Sequence, residues 1–265
     1  MRTKPKLGQN FLVDEQAAQR IVAALGEITG RTVVEIGPGR GAITEALVAR
    51  AGHVVAVELD LELAVALREH FDPAKVAVIE GDVLRFDFAA AAAEASERLR
   101  LAGNLPYAIT SPILLKLAAS HASLDLAVLM VQREVAERIT AAPGTRDYGL
   151  LSVTMQMYGP VESLFTLPPS AFSPPPKVYS TVFRWRFAPR FAELGVAESG
   201  FLRFLRRIFA QKRKTLANNL RAAGVAPEAV TDALAHAGID LLARAEAVPV
   251  EALAGLWRRL EDLSP

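Results

Sequence analysis

Four short stretches hold residues suited to chemistry, and each follows a strand-like run. Glu35-Ile36-Gly37-Pro38-Gly39-Arg40-Gly41 is glycine-rich, Glu58 lies at the end of His53–Leu59, Gly81-Asp82 closes Val76–Glu80, and Asn104-Leu105-Pro106-Tyr107 follows Leu99–Ala102. Glycines between a strand and a helix let the backbone turn sharply and approach a ligand closely. Glu58 stands 21 residues after Gly37, where a carboxylate accepts both hydroxyls of a ribose. These two features alone leave the cofactor open. Gly37-Pro38-Gly39-Arg40-Gly41-Ala42 also satisfies the G-x-G-x-x-A dinucleotide fingerprint, so a nicotinamide dehydrogenase and a methyltransferase both fit, as does an ordinary tight turn.

The other two stretches favour the methyltransferase. A carboxylate at Asp82 can accept from the amine of a bound adenine, although the same residue serves equally as a helix cap. Asn-Leu-Pro-Tyr suits a second adenine, one that reacts. The lone pair on adenine N6 is delocalised into its ring, so the amine is a poor nucleophile. Two acceptors on its N–H bonds, the Asn104 side-chain oxygen and the Leu105 carbonyl, favour a more tetrahedral nitrogen. Pro106 fixes the backbone in advance, and Tyr107 offers a flat face for the base. No dedicated general base is needed, because methylation makes the nitrogen acidic enough to lose its proton to water.

The elements that must position these residues follow from the pattern. Asp14 can cap a helix running to Leu25, and strands are expected at Thr32–Ile36, His53–Leu59, Val76–Glu80, Leu99–Ala102 and Leu126–Val131. Helical patterns at Ile43–Ala51, Leu61–Phe71 and Ala89–Arg98 alternate with them. Val161–Thr166 and Ser180–Phe187, with no long helical pattern between them, are expected to pair antiparallel at one edge. The result is an α/β, Rossmann-like fold: a mostly parallel seven-stranded sheet with helices on both faces. In such sheets ligands sit beyond the carboxyl ends of the strands, so the four stretches converge on one crevice. After Pro189 only helical periodicity remains, at Phe201–Leu220, Pro227–Ala237 and Val250–Leu260. The expected division is therefore a catalytic domain, 1–188, and a small all-helical domain, 189–265.

Phe201–Arg221 holds Arg203, Arg206, Arg207, Lys212, Arg213, Lys214 and Arg221, and no acidic residue. Its apolar residues share one helical face, so the opposite face reads as a basic stripe able to hold phosphates, against the alternative of a solvated helix face. Arg2, Lys4 and Lys6 can add to that field. Overall charge gives no such signal: 30 basic and 29 acidic residues leave a net charge of +1. The absence of cysteine excludes disulfides and thiolate sites, and the four histidines have no paired spacing, so no metal is expected. No apolar run has the length of a membrane span, and no secretory signal follows the basic start, so a cytoplasmic protein is expected.

These residues identify a family. Lys6-Leu7-Gly8-Gln9-Asn10-Phe11-Leu12, Glu35–Gly41, Val57-Glu58-Leu59-Asp60, Gly81-Asp82, Asn104–Tyr107, Phe172-Ser173-Pro174-Pro175-Pro176-Lys177-Val178 and Gln211-Lys212-Arg213-Lys214-Thr215-Leu216 resemble the small-subunit ribosomal RNA adenine dimethyltransferases. The resemblance implies the class I methyltransferase fold and S-adenosyl-L-methionine as cofactor, bound by Asn10, Leu12, Gly37, Gly39, Glu58, Asp82 and Asn104. Without it, Asn10 reads as a helix-approach residue and Leu12 as core. It implies Phe172 as a second aromatic wall of the base pocket, and otherwise Phe172 also reads as core. It implies as substrate two adjacent adenosines in a hairpin loop near the 3′ end of small-subunit RNA, each dimethylated by a monomeric enzyme acting on RNA or a preribosomal particle. Ala108 and Tyr179 depart from the family pattern at the pocket rim. A DNA adenine methyltransferase shares the chemistry, but no segment is large enough to read bases in a duplex. A ribosome-assembly or transcription factor retaining the fold is the non-catalytic alternative.

Overall fold

A computed structural model describes residues 10–262. Arg2, Lys4 and the stretch from Lys6 to Gln9 lie outside the described residues. The described chain starts with a two-residue strand, β1 (Phe11–Leu12), and helix α1 (Glu15–Ala24), which Asp14 caps by accepting from the Ala17 N–H at 3.0 Å. Strands and helices then alternate: β2 (Thr32–Ile36), α2 (Ala42–Val48), β3 (His53–Glu58), α3 (Leu61–His70), β4 (Val76–Glu80), α4 (Phe88–Ala95), β5 (Leu99–Asn104), α5 (Thr110–Ala119) and β6 (Leu124–Gln132). Helices α6 (Arg133–Thr140) and α7 (Leu150–Met157) come next, then β7 (Val161–Leu167), β8 (Phe172–Ser173) and β9 (Ser180–Arg186). The chain ends in α8 (Glu198–Ile208), α9 (Leu216–Ala222), α10 (Pro227–His236) and α11 (Val250–Asp262).

The main sheet has seven strands in the order β4-β3-β2-β5-β6-β9-β7. The first five are parallel, and β9 runs antiparallel to both β6 and β7. This is the mostly parallel α/β sheet expected, including the antiparallel edge. In β6, Leu126, Val128 and Met130 join α1 and α2 in one hydrophobic cluster. Ala127, Leu129 and Val131 point to the opposite face and are buried as well. A strand buried on both faces reads as a continuous apolar run, as this one does. The order reverses between β2 and β5, and there Gly103 lies opposite Ile36. A Cβ on Gly103 would sit 2.6 Å from the Ile36 carbonyl oxygen, so only glycine allows the approach.

Three features differ from the sequence expectation. Helices α5, α6 and α7 occupy stretches where no helix was expected. The Ile43 and Ala89 helices stop early, the latter at Ser96 in a left-handed conformation with φ of 55°. The Phe201–Leu220 helix is interrupted: α8 ends before Phe209, and Thr215 starts α9 by accepting from the Asn218 N–H at 3.2 Å. The buried Asn219 amide donates to the Gln211 carbonyl at 3.3 Å, which fixes the intervening loop. A cap side chain competes with the helix ladder, and here it ends one helix and begins another.

By packing, the chain divides into two units. One comprises the described part of Met1–Ala136 with Val161–Phe187, and the other Glu137–Pro160 with the described part of Ala188–Pro265. The segment 137–160, assigned by sequence pattern to the first domain, thus packs with the C-terminal helices.

Replacing Gly103 with alanine is expected to destabilise the sheet by about 1–3 kcal/mol, the usual cost of overpacking. Urea unfolding of the two proteins measures this, and an unchanged midpoint would show that β2 and β5 yield freely.

Candidate active site

The crevice lies where the strand order reverses, beyond the carboxyl ends of β2, β3, β4 and β5. Gly37 and Gly39 follow β2, and Gly39 adopts a φ of +59°. Its N–H donates to Glu58 Oε2 at 3.0 Å, while Glu58 Oε1 accepts from the Asp60 N–H at 3.0 Å. Glu58 is buried, so these bonds tie the glycine loop to the end of β3. A carboxylate has about four acceptor positions, so two remain for hydroxyls of a ligand. Asp82 accepts from the Leu84 N–H at 2.9 Å, which makes it the cap of a short turn as well as part of the crevice wall.

Asn104 ends β5. Its Nδ2 donates to the Asn10 carbonyl at 3.0 Å, and its Oδ1 is buried with no partner among the described residues. A buried acceptor left without a donor costs about 1–3 kcal/mol, so this oxygen is held ready for an incoming N–H. The next backbone groups are pinned: the Leu105 N–H donates to the Met130 carbonyl at 3.0 Å, and the Pro106 carbonyl accepts from the Thr110 hydroxyl at 3.1 Å. The Tyr107 hydroxyl lies 2.7 Å from Ser180 Oγ. Burial raises its pKa, with the Ser180 bond opposing, so the phenol stays neutral at ordinary pH.

Asn10, Gly37, Gly39, Glu58, Asp82, Asn104, Leu105, Pro106 and Tyr107 all line this one crevice. Leu12 and Phe172 do not. Both are buried in the hydrophobic cluster, where β1 and β8 pair Leu12 with Phe172. Side chains alternate along a strand, so when Leu12 points inward its neighbour Phe11 faces the crevice. Phe11, like Val83 and Ile109, is a lining residue that sequence reasoning missed, although it stands inside the Asn-Phe-Leu motif. It packs so closely on the glycine loop that a Cβ on Gly39 would meet its ring at 2.9 Å, and the Arg40 guanidinium covers the ring 4.5 Å from its centroid. Ser180, which holds Tyr107, carried no sequence signal of its own.

The basic residues belong to the other unit. Arg203, Arg206 and Arg207 lie on α8, Lys212, Arg213 and Lys214 on the loop before α9, and Arg221 on α9. All seven are exposed, so the helical stripe becomes two short helix faces joined by a basic loop.

The chain matches the family described as ribosomal RNA adenine dimethylase over residues 1–262. It is 59% identical over 262 residues to the ribosomal RNA small subunit methyltransferase A of Acidobacterium capsulatum, covering 98% of this chain and 92% of that protein. The protein of the same name from Koribacter versatilis is 50% identical over 269 residues, covering 97% of this chain and 94% of its own. Among solved structures, the 23S rRNA methyltransferase ErmE superposes with a TM-score of 0.72 at 26% identity, over 95% of this chain and 100% of that one. A dimethyladenosine transferase from Plasmodium falciparum superposes with a TM-score of 0.77 at 24% identity, over 93% of this chain and 95% of that one, a likeness of fold.

Beneath the crevice floor, Glu35 is almost wholly buried and accepts from the Thr44 hydroxyl at 2.6 Å. Burial pushes its pKa from 4.5 up to about 8; the Thr44 bond opposes this, and repulsion from Glu58 adds to it. The unfolded chain releases this proton near pH 4.5 and the folded chain holds it to about 8, so across that window the native state binds more protons and stability falls as pH rises. Glu35→Gln stays neutral and keeps an acceptor for Thr44. The wild type is therefore expected to lose stability relative to Glu35→Gln as pH rises through that window, with the difference level on either side. Urea midpoints measured against pH test this, and a constant difference would contradict the burial argument.

Proposed function

The chain belongs to the ribosomal RNA adenine dimethylase family, and from that premise we infer which residues of the crevice do the work. The enzyme is an S-adenosylmethionine-dependent methyltransferase that dimethylates adenosines of small-subunit ribosomal RNA at N6. Its substrate is the pair of adjacent adenosines in a hairpin loop near the 3′ end, presented on RNA or on a small-subunit particle. A ribosomal substrate supports a cytoplasmic protein, and the proposed acting form is a monomer. Among the described residues no helix is long and apolar enough to cross a membrane.

When bound, the cofactor supplies an electrophilic methyl group on a sulfonium. The crevice fits it: a glycine loop with close backbone approach, spare acceptor capacity on Glu58 and Asp82, and the carbonyl of Asn10 brought in by Asn104. Glu58 would take the ribose hydroxyls and Asp82 the adenine amine of the cofactor.

The single observation that carries the catalytic assignment is the orphaned Asn104 Oδ1. Its amide nitrogen is already committed to Asn10, so the oxygen is oriented before substrate arrives. With the Leu105 carbonyl it accepts the N–H groups of the target amine and exposes the nitrogen lone pair to the methyl group. Preorganised acceptors cost no reorganisation during reaction. The methyl group would come from the bound cofactor, its sulfur leaving as a neutral thioether as the N–C bond forms, and the nitrogen would then give its proton to water. Tyr107 holds the base by stacking, its hydroxyl steadied by Ser180. Asn10, Gly37 and Gly39 bind cofactor. Leu12 and Phe172 support the site from the core by fixing β1 against β8. The exposed cations Arg203, Arg206, Arg207, Lys212, Arg213, Lys214 and Arg221 hold RNA phosphates.

Two measurements test this reading. Asn104→Ala is expected to lower single-turnover methylation of unmodified small subunits by about 10²–10³, the typical cost of losing one preorganised polar contact, while cofactor affinity falls modestly at most. A near wild-type rate would remove Asn104 from the mechanism. Neutralising Lys212, Arg213 and Lys214 together should weaken RNA binding and flatten its salt dependence by about 0.7–0.9 in slope for each phosphate that is no longer neutralised. An unchanged slope would leave these residues facing only water.

A further inference from the structure

Between β8 and β9 the chain presents Lys177, Val178 and Tyr179, all exposed, the last with 47% of its surface open. Single exposed apolar side chains are normal and by themselves carry no meaning. Tyr179 is set apart by its position and by how it is held. Because β9 is antiparallel, its first residue, Ser180, pairs with Gln132, the last residue of β6. Tyr179 therefore stands just past the carboxyl end of β6, the neighbour of the strand whose end carries Asn104. It is one residue from Ser180, whose hydroxyl is 2.7 Å from that of Tyr107. Its carbonyl accepts from the Arg133 N–H at 3.0 Å, and the Arg133 guanidinium lies 5.3 Å from its ring centroid. The ring is thus exposed, anchored through its backbone and paired with a cation, just past the end of the strand next to the one that carries Asn104.

Building on the RNA-methylation reading, we propose that Tyr179 is a stacking platform for the nucleobase adjacent to the adenosine under reaction. An adenosine turned into the crevice leaves the stack of its neighbours and bares a face of the next base. An aromatic ring just past the carboxyl end of β6 replaces the missing partner, and stacking tolerates any base because every base has a π face. The Arg133 guanidinium, 5.3 Å from the ring centroid, adds a cation–π contact that steadies the platform. The contact is made to substrate away from the reacting nitrogen, so it selects and positions RNA and takes no part in bond making.

The test uses the full-length protein and small ribosomal subunits lacking the modification, with Tyr179→Ala, Tyr179→Leu, Tyr179→Phe and Tyr179→Trp. Loss of stacking in Tyr179→Ala should raise KM for subunits roughly tenfold. Contacts made equally in ground and transition state change KM alone, so kcat should stay within about twofold. Tyr179→Leu should behave like alanine, since it keeps apolar bulk without a π face, and Tyr179→Phe and Tyr179→Trp should restore binding. Unchanged KM in Tyr179→Ala overturns the proposal. Full binding by Tyr179→Leu overturns it too, because the contact is then merely apolar, as a protein partner would make. A fall in cofactor affinity in Tyr179→Ala would show a structural role and has the same consequence. The wild-type rate on the same subunits reports separately on the methylation reading.

Discussion

The close approach of β5 to β2 is the constraint from which the site follows. Parallel pairing sets Ile36 opposite Gly103, and the absent side chain at 103 lets the Ile36 carbonyl come within a distance that no other residue permits. One residue further along each strand lie Gly37 and Asn104. The two loops that must meet a ligand therefore diverge from a single tight contact at the point where the strand order reverses. Right-handed crossovers make the same arrangement available to any doubly wound sheet. What individualises this one is the set of groups at the strand ends.

Those groups are arranged as acceptors whose partners are partly spoken for. Glu58 keeps the glycine loop in place with both oxygens and still faces the crevice. Asn104 commits its amine and leaves its carbonyl oxygen bare. Glu35, behind them, stays neutral through burial and so adds no second negative charge next to Glu58. Burial is the main cause of this, and repulsion from Glu58 adds to it.

Much of this was legible in the sequence because it rests on local chemistry. Strand ends followed by glycine, aspartate or Asn-Leu-Pro-Tyr mark positions on a parallel sheet, and the structure gathers those positions on one crevice. The pairing of the two short strands was not legible. Nothing in the order of residues 10–12 says that β1 pairs with β8, and this pairing turns Phe11 outward while burying Leu12 and Phe172. Ser180 acts through its distance to Tyr107, 73 residues away in sequence. The break between α8 and α9 escaped the periodicity because apolar residues resume in phase after it; the Thr215 cap and the Asn219 bond across the loop are what reveal it. Helix α7 has few charges to mark a polar face, so its pattern did not separate it from the strands around it.

The hydrogen bond from the Leu105 N–H to the Met130 carbonyl also bears on how the molecule ages. Asparagine is among the thermolabile residues. Its spontaneous loss of ammonia begins when the backbone nitrogen of the following residue attacks the side-chain carbonyl carbon to close a five-membered imide. At Asn104 that nitrogen is pinned in the 3.0 Å bond to Met130, and the amide is turned away to reach Asn10 at 3.0 Å. Conversion to aspartate would set an oxygen against the Asn10 carbonyl and remove the donor that orients the site. The strand pairing that builds the crevice thus also holds the nitrogen that would attack Asn104 in a hydrogen bond directed away from that reaction.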